Sequence, residues 1–210
     1  MPRPDQSFFL AHFTKDGKDF DPNNPKENPT INEMSAFDRL IAILSEKSIK
    51  ASALPWTNKP AVCFTECPWG SLLRHAEQYS CYGVGFTKKL VYSRGGNPVI
   101  YANPKLFHSQ KWDDEAYTFV TPFVPRYAPD SIRNIAPFNG RAIDYTHERE
   151  WRTPRDFGFQ YVYIAFVVLK SVRDLQRIPE NIINEIGLEK FIFMDTYKKI
   201  EELWPTHIME

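Results

Sequence analysis

At 210 residues, with 26 Lys+Arg against 26 Asp+Glu and a net charge of +0, the chain can bury a sizeable core but carries no global basic field. That balance excludes the bulk electrostatics of a nucleic-acid binder and leaves only a local patch open. No apolar run nears the ~20 residues of a membrane-spanning helix. No signal-peptide or lipidation pattern is read either, and three cysteines, an odd number, point to a reducing cytoplasm instead of a disulfide framework.

Aromatic residues make up 15% and Pro 17 outnumbers Gly 9, so rigid loops and aromatic-lined clefts are expected. In chain order, "SFFLAHFT" (Ser7–Thr14) reads as a strand running into the polar loop "KDGKDFDPNNPKENPTIN". Ser35 can cap a helix with Asp38 as its partner, and Phe37, Leu40, Ile41 and Leu44 follow at the spacing of one buried helical face. "PAVCFTE" (Pro60–Glu66) is strand-like, and Trp69, Leu72, Leu73 and Ala76 form a second helical stripe that leaves Arg74 and Glu77 off it. "YGVGFTKKLVY" and "NPVIYA" read as strands of a hairpin turning at Gly95–Gly96. From Pro104 to Ile143 neither period holds. This Pro- and aromatic-rich excursion, with a helix near Asp113–Phe119, is expected to lie over the sheet without forming its core.

"QYVYIAFVVLK" (Gln160–Lys170) is apolar on both faces, as a central strand is. A short helix from Pro179, a last strand "KFIFM" and a last helix Thr196–Trp204 close the chain. The stretch "DYTHEREWRTP" (Asp144–Pro154) alternates strictly, so read as a strand it points Glu148, Glu150 and Arg152 one way and His147, Arg149 and Trp151 the other. Both faces are polar, so at least one should look into something polar. The fold expected is α+β, a mostly antiparallel, twisted sheet with inserted helices, built as one domain over residues 1–210 with an excursion at about 104–143.

Chemistry-bearing residue types concentrate in "AHFT" (Ala11–Thr14), "CFTE" (Cys63–Glu66), "NPVIYA" (Asn97–Ala102) and "HEREWR" (His147–Arg152). Their order resembles the AbiGi-type abortive-infection proteins of bacteria and, more remotely, the DarT-type ADP-ribosyltransferases. The matching pieces are His12-Phe13-Thr14, the helix Leu40–Leu44 and Glu150. The aromatic-proline-arginine-serine-proline-methionine run of the DarT pattern is missing, and "CFTECPWGSLLR" stands in its place. The resemblance implies an ADP-ribosyltransferase-like fold that consumes NAD as co-substrate.

Under that reading, Glu150 is the catalytic carboxylate that stabilises an oxocarbenium-like ribose, an electrostatic contribution of roughly several kcal/mol. His12, Phe13 and Thr14 would line the NAD cleft, with His12 and Thr14 on the ribose or diphosphate. Tyr101 or Phe64 would stack on the nicotinamide, and Arg152 or Arg74 would pair with a phosphate. The implied biology is a toxin of a bacterial antiphage, toxin–antitoxin system, restrained by a cognate antitoxin protein. In the excursion Phe119, Phe123, Tyr127 and Phe138 interleave with Arg126, Arg133 and Arg141, which would suit a single-stranded RNA or DNA target.

Each piece also has a plainer reading. His12 can be a satisfied strand-end histidine, and the Glu148–Arg152 charges can be cross-strand pairs. The whole chain can be a non-catalytic antitoxin or interaction protein on the same scaffold. The spacing of Cys63, Cys67, His75 and Cys81 fits no common zinc site, and no P-loop or nucleophile elbow is present.

Overall fold

The structure is a computed structural model that describes residues 6–17, 33–66, 80–134, 138 and 140–203. Its strands are, in chain order, β1 (Phe9–Phe13), β2 (Ser48–Ile49), β3 (Ser52–Ala53), β4 (Pro60–Thr65), β5 (Gly83–Thr87), β6 (Asn97–Pro98) and β7 (Ile100–Ala102). There follow β8 (Val120–Pro122), β9 (Glu150–Thr153), β10 (Phe157–Gly158), β11 (Phe166–Leu169) and β12 (Phe191–Phe193). The chain divides into two compact units, one of Met1–Ile49, Glu66–Leu90 and Gly158–Glu210, the other of Lys50–Thr65 and Val91–Phe157. The class is α+β with mostly antiparallel strand pairing.

In the first unit β1 and β11 both run antiparallel to β5, while β12 runs parallel to β11. The registers set Leu10, Val84, Phe86, Val167, Leu169 and Phe191 on one face, all buried. The helix Ala36–Glu46 buries Phe37, Leu40 and Leu44 as its spacing predicts. Its cap is Ser35, whose hydroxyl accepts from the Asp38 backbone N–H at 3.1 Å and donates to the Asp38 carboxylate at 2.6 Å. The opposite sheet face carries Ala11, Phe13 and Val168, covered by Met194 and Tyr197 of the last helix, Met194–Leu203.

The central strand is shorter than its apolar run suggests. Tyr161–Tyr163 form a 3-10 turn, and the Tyr161 hydroxyl donates to the Leu44 carbonyl at 2.9 Å. That polar anchor draws the segment out of the ladder, so pairing starts at Phe166. The Gly95–Gly96 hairpin is not formed. Thr87 accepts from the Leu90 N–H and starts the helix Lys88–Ser93; Gly95, at φ 82, and the Gly96 N–H bonded to the Val91 carbonyl end it. The helical stripe at Trp69–Ala76, Arg74, Glu77, and most of the polar loop before Ser35 lie outside the described residues.

In the second unit β9 is flanked by β4 and β6, both antiparallel to it, and β3 pairs with β4. The excursion, together with Ala102 and Trp56 from outside it, builds a cluster separate from the sheet's own core. Ala102, Phe107, Val120, Val124, Ala128, Phe138 and Ile143 pack together, with Trp56 and Trp112 against them. The helix near Asp113 is present as Asp114–Thr118, capped by the Asp113 carboxylate, and β7 and β8 pair in parallel.

Gly85 faces Phe166 across the β5–β11 pair, and a Cβ there would run into the Phe166 ring. Gly85→Ala is therefore expected to cost about 1–3 kcal/mol of unfolding free energy by overpacking. Urea titration checks it, and Gly85→Ala/Phe166→Leu should recover part of the loss. An alanine variant as stable as the parent would show that the ring simply moves aside.

Candidate functional site: a buried ion pair on one sheet face

The chain from Asp144 does not enter the sheet as an alternating strand. The Asp144 carboxylate accepts the Thr146 N–H at 3.2 Å and its hydroxyl at 2.7 Å, which starts a 3-10 turn over Thr146–Glu148. Arg149 then takes a left-handed conformation, φ 44 and ψ 51, uncommon for a residue with a Cβ. Only from Glu150 does the backbone run extended. Alternation across Glu148–Glu150 is thus broken, and Glu148 is not placed on the Glu150 face by strand geometry. Its carbonyl instead accepts the Thr65 hydroxyl at 2.6 Å.

Opposed residues of antiparallel strands share a face. Cys63 lies opposite Arg152, Thr65 opposite Glu150, and Asn97 opposite Arg152 from the other side. One face of this sheet is therefore polar, and the other carries Val62, Phe64 and Trp151.

On the polar face Arg152 grips Glu150 with two parallel bonds, Nε to Oε1 at 2.8 Å and Nη2 to Oε2 at 3.0 Å. Its remaining donors reach into the excursion. Nη1 donates to the carbonyls of Thr118 at 2.9 Å and Val120 at 3.3 Å, and Nη2 to the Thr121 hydroxyl. Arg152 is 4% exposed. Burial works against its charge, but the hydrogen bonds and charge of Glu150 outweigh that and hold the guanidinium above the ordinary arginine value.

Two neighbouring acids are held neutral. Burial, then the Glu150 carboxylate, pushes the Cys63 thiol well up, and the same two causes in the same order raise the Tyr101 phenol. The Tyr101 hydroxyl donates to the Tyr145 carbonyl at 2.9 Å.

Of the residues singled out in the sequence, the second unit brings together Glu150, Arg152 and Tyr101, and adds Cys63 and Thr121. Cys63 belongs to the "CFTE" stretch but reads from the sequence as a small apolar strand residue and a poor zinc ligand, and Thr121 carries no signal, because it is recruited by an arginine far along the chain. Phe64 is 1% exposed and packs edge-on to Phe157 at 5.1 Å, on the apolar face of the sheet.

His12, Phe13 and Thr14 belong to the first unit. Phe13 is buried in the cluster with Ala11, Val168 and Met194. Thr14 is buried, its hydroxyl donating to the Ala36 carbonyl at 2.7 Å, which makes it a tie between strand and helix. His12 is half-buried on the apolar face opposite Val84. Arg74 lies outside the described residues. In the excursion Arg126 and Arg141 are exposed, while Arg133 pairs with Asp130 at 2.5 Å. Among the described residues no His, Cys, Asp or Glu group is arranged to hold a metal, and no helix is long and apolar enough to cross a membrane.

The fold and centre define an α+β protein whose second unit is organised by an internal guanidinium–carboxylate pair. Residues 42–191 match the family described as the abortive phage resistance protein AbiGi, antitoxin. The chain belongs to this AbiGi family. No curated protein and no solved structure matches it.

Removing Arg152 would leave a carboxylate with little solvent and strip three acceptors in the excursion of their donor. Arg152→Met should therefore cost about 3–5 kcal/mol, the penalty for breaking a buried pair from one side. Glu150→Gln, which keeps an acceptor oxygen, should cost less. Urea midpoints decide it, and a loss under about 1 kcal/mol for Arg152→Met would mean the pair is well solvated.

The two neutral acids give a pH signature. Their folded values lie above the ordinary 9.0 for the thiol and 10.0 for the phenol, so the unfolded chain releases these protons first. The stability they contribute is complete below those ordinary values and is lost as pH rises past them. Unfolding free energy should fall above pH 9.0, and Cys63→Ala should remove the earlier part of the fall. A profile that is flat through this range and unaltered by Cys63→Ala would contradict the assignment.

Proposed function

We propose that the chain acts as the antitoxin of an abortive phage resistance pair, restraining a toxin by protein–protein contact without chemistry of its own. The observation that carries this reading is the fate of the Glu150 carboxylate. Both its oxygens are taken by Arg152, whose other N–H groups are spent on Thr118, Val120 and Thr121. Each oxygen keeps a second lone pair, but the carboxylate is only 11% exposed and is clamped to an arginine that ties down the excursion, which is a poor opening for a ribose cation that needs a free oxygen beside it. The antitoxin description of the family supports the same reading. The partner expected is accordingly a toxin, where the sequence-based reading expected an antitoxin.

The competing proposal keeps Glu150 as catalytic carboxylate, Arg152 as phosphate partner, NAD as co-substrate and single-stranded RNA or DNA as target. Its support is the gathering of Glu150, Arg152 and Tyr101 around one centre. With Arg152 and not Arg74 as the phosphate partner, a carboxylate and three acceptors would have to be exchanged for a diphosphate.

Two assays separate the proposals. Co-expression with the toxin of the pair should restore growth, and Glu150→Gln, compared with wild type at matched levels of folded protein, should restore it alike. Incubation of the purified chain with labelled NAD and separate pools of RNA, DNA and protein should transfer no label. Transfer that vanishes in Glu150→Gln would overturn the antitoxin reading and establish the transferase.

A further inference from the structure

The excursion presents one feature that the core of the second unit does not use. The Ala128 N–H donates to the Pro125 carbonyl at 2.9 Å, closing a four-residue turn with Arg126 and Tyr127 at its two central positions. The turn is fixed on both sides, since Val124, Pro125 and Ala128 are all buried and Val124 exchanges both backbone bonds with Ile143 at 2.7 and 2.8 Å. Tyr127 is 83% exposed, the largest exposure among the large apolar side chains described. Arg126 and Arg141 stand two residues out from the Val124–Ile143 bridge, one on each arm, and both are exposed. Asp130, the nearby acid of this tip, is already paired with Arg133.

We infer that this turn is the anchor by which the chain docks on an acidic surface of its toxin, with Tyr127 as the inserted ring and Arg126 and Arg141 as flanking cations. The inference rests on the antitoxin reading. A tyrosine beside arginines is the composition in which binding energy concentrates at protein interfaces. A turn held rigid in the free protein also loses little freedom on docking.

A single-stranded nucleic acid fits the tip less well. Base stacking needs several free rings, yet Phe138 is fully buried and Phe119 and Phe123 are half-buried, leaving Tyr127 alone. A phosphate track needs a run of cations, yet Arg133 is taken by Asp130.

The test titrates the purified toxin of the pair against wild-type chain, Tyr127→Ala and Arg126→Glu/Arg141→Glu, alongside co-expression rescue by each. Oligothymidylate and oligouridylate single strands serve as nucleic-acid probes. Both variants should keep the wild-type melting temperature, since the changed side chains are solvent-exposed. Each should weaken toxin binding by about tenfold or more, as the loss of an interface anchor does. The charge-reversed pair should also lose the salt sensitivity of the wild-type complex. If the wild-type chain binds and rescues while the variants bind equally well, the docking surface lies elsewhere and the antitoxin reading stands. If the wild-type chain neither binds nor rescues, both proposals fall. Oligonucleotide binding that disappears in the charge-reversed variant would make the tip a nucleic-acid site and overturn the inference.

Discussion

The guanidinium of Arg152 is the interaction on which the second unit depends. It is a side chain of the middle strand, β9, yet only its bonds to Glu150 stay on that strand; its bonds to Thr118, Val120 and Thr121 tie down a segment some thirty residues earlier in sequence. Dispersion and apolar burial can collapse that segment but cannot say which carbonyl goes where. Five directional donors in a planar fork can. The pair is no obvious source of net stability, because desolvating two charges offsets most of their attraction. Its contribution is a defined seat for an excursion whose sequence has no period to define one.

The sequence disclosed most where a local rule is strong. The helix Ala36–Glu46 has its apolar spacing and its Ser35–Asp38 cap, legible because each decision is made within four residues. β1, β4 and β12 likewise announce themselves as short apolar runs. The reading failed where a single backbone or tertiary event overrides the pattern. Charges alternate through "HEREWR", but one left-handed residue, Arg149, turns the chain and cancels the inference that Glu148 and Glu150 share a face. Tyr161 looks like strand until its hydroxyl reaches Leu44, 117 residues earlier.

The candidate site was half legible for the same reason. Glu150 and Arg152, two apart on a strand, must share a face, so their pairing was implicit in the sequence. That one polar face looks inward follows from the alternation, but which groups cover it does not, since Thr118, Val120 and Thr121 come from a stretch without a period. Phe64 shows the converse case. It sits between Cys63 and Thr65, which face the polar side, so alternation alone turns it to the apolar side. Its use as a ligand-stacking ring was drawn from the family resemblance, against the period of its own strand.

The excursion also explains how a chain of zero net charge can carry a specific surface. Part of its aromatic content turns inward: Phe107 and Phe138 pack ring against ring at 6.4 Å, and Trp112 donates its indole N–H to the Phe107 carbonyl at 2.9 Å. What remains outside is decided by the turn geometry at Pro125–Ala128, because burying the ends of a closed four-residue turn forces its two central side chains into solvent. Arg152 fixes the root of this excursion and the Val124–Ile143 bridge fixes its waist, so the outward residues are displayed on a braced element. The buried pair and the exposed turn are then two ends of one construction, with the charge at the root spent on holding still what the tip presents.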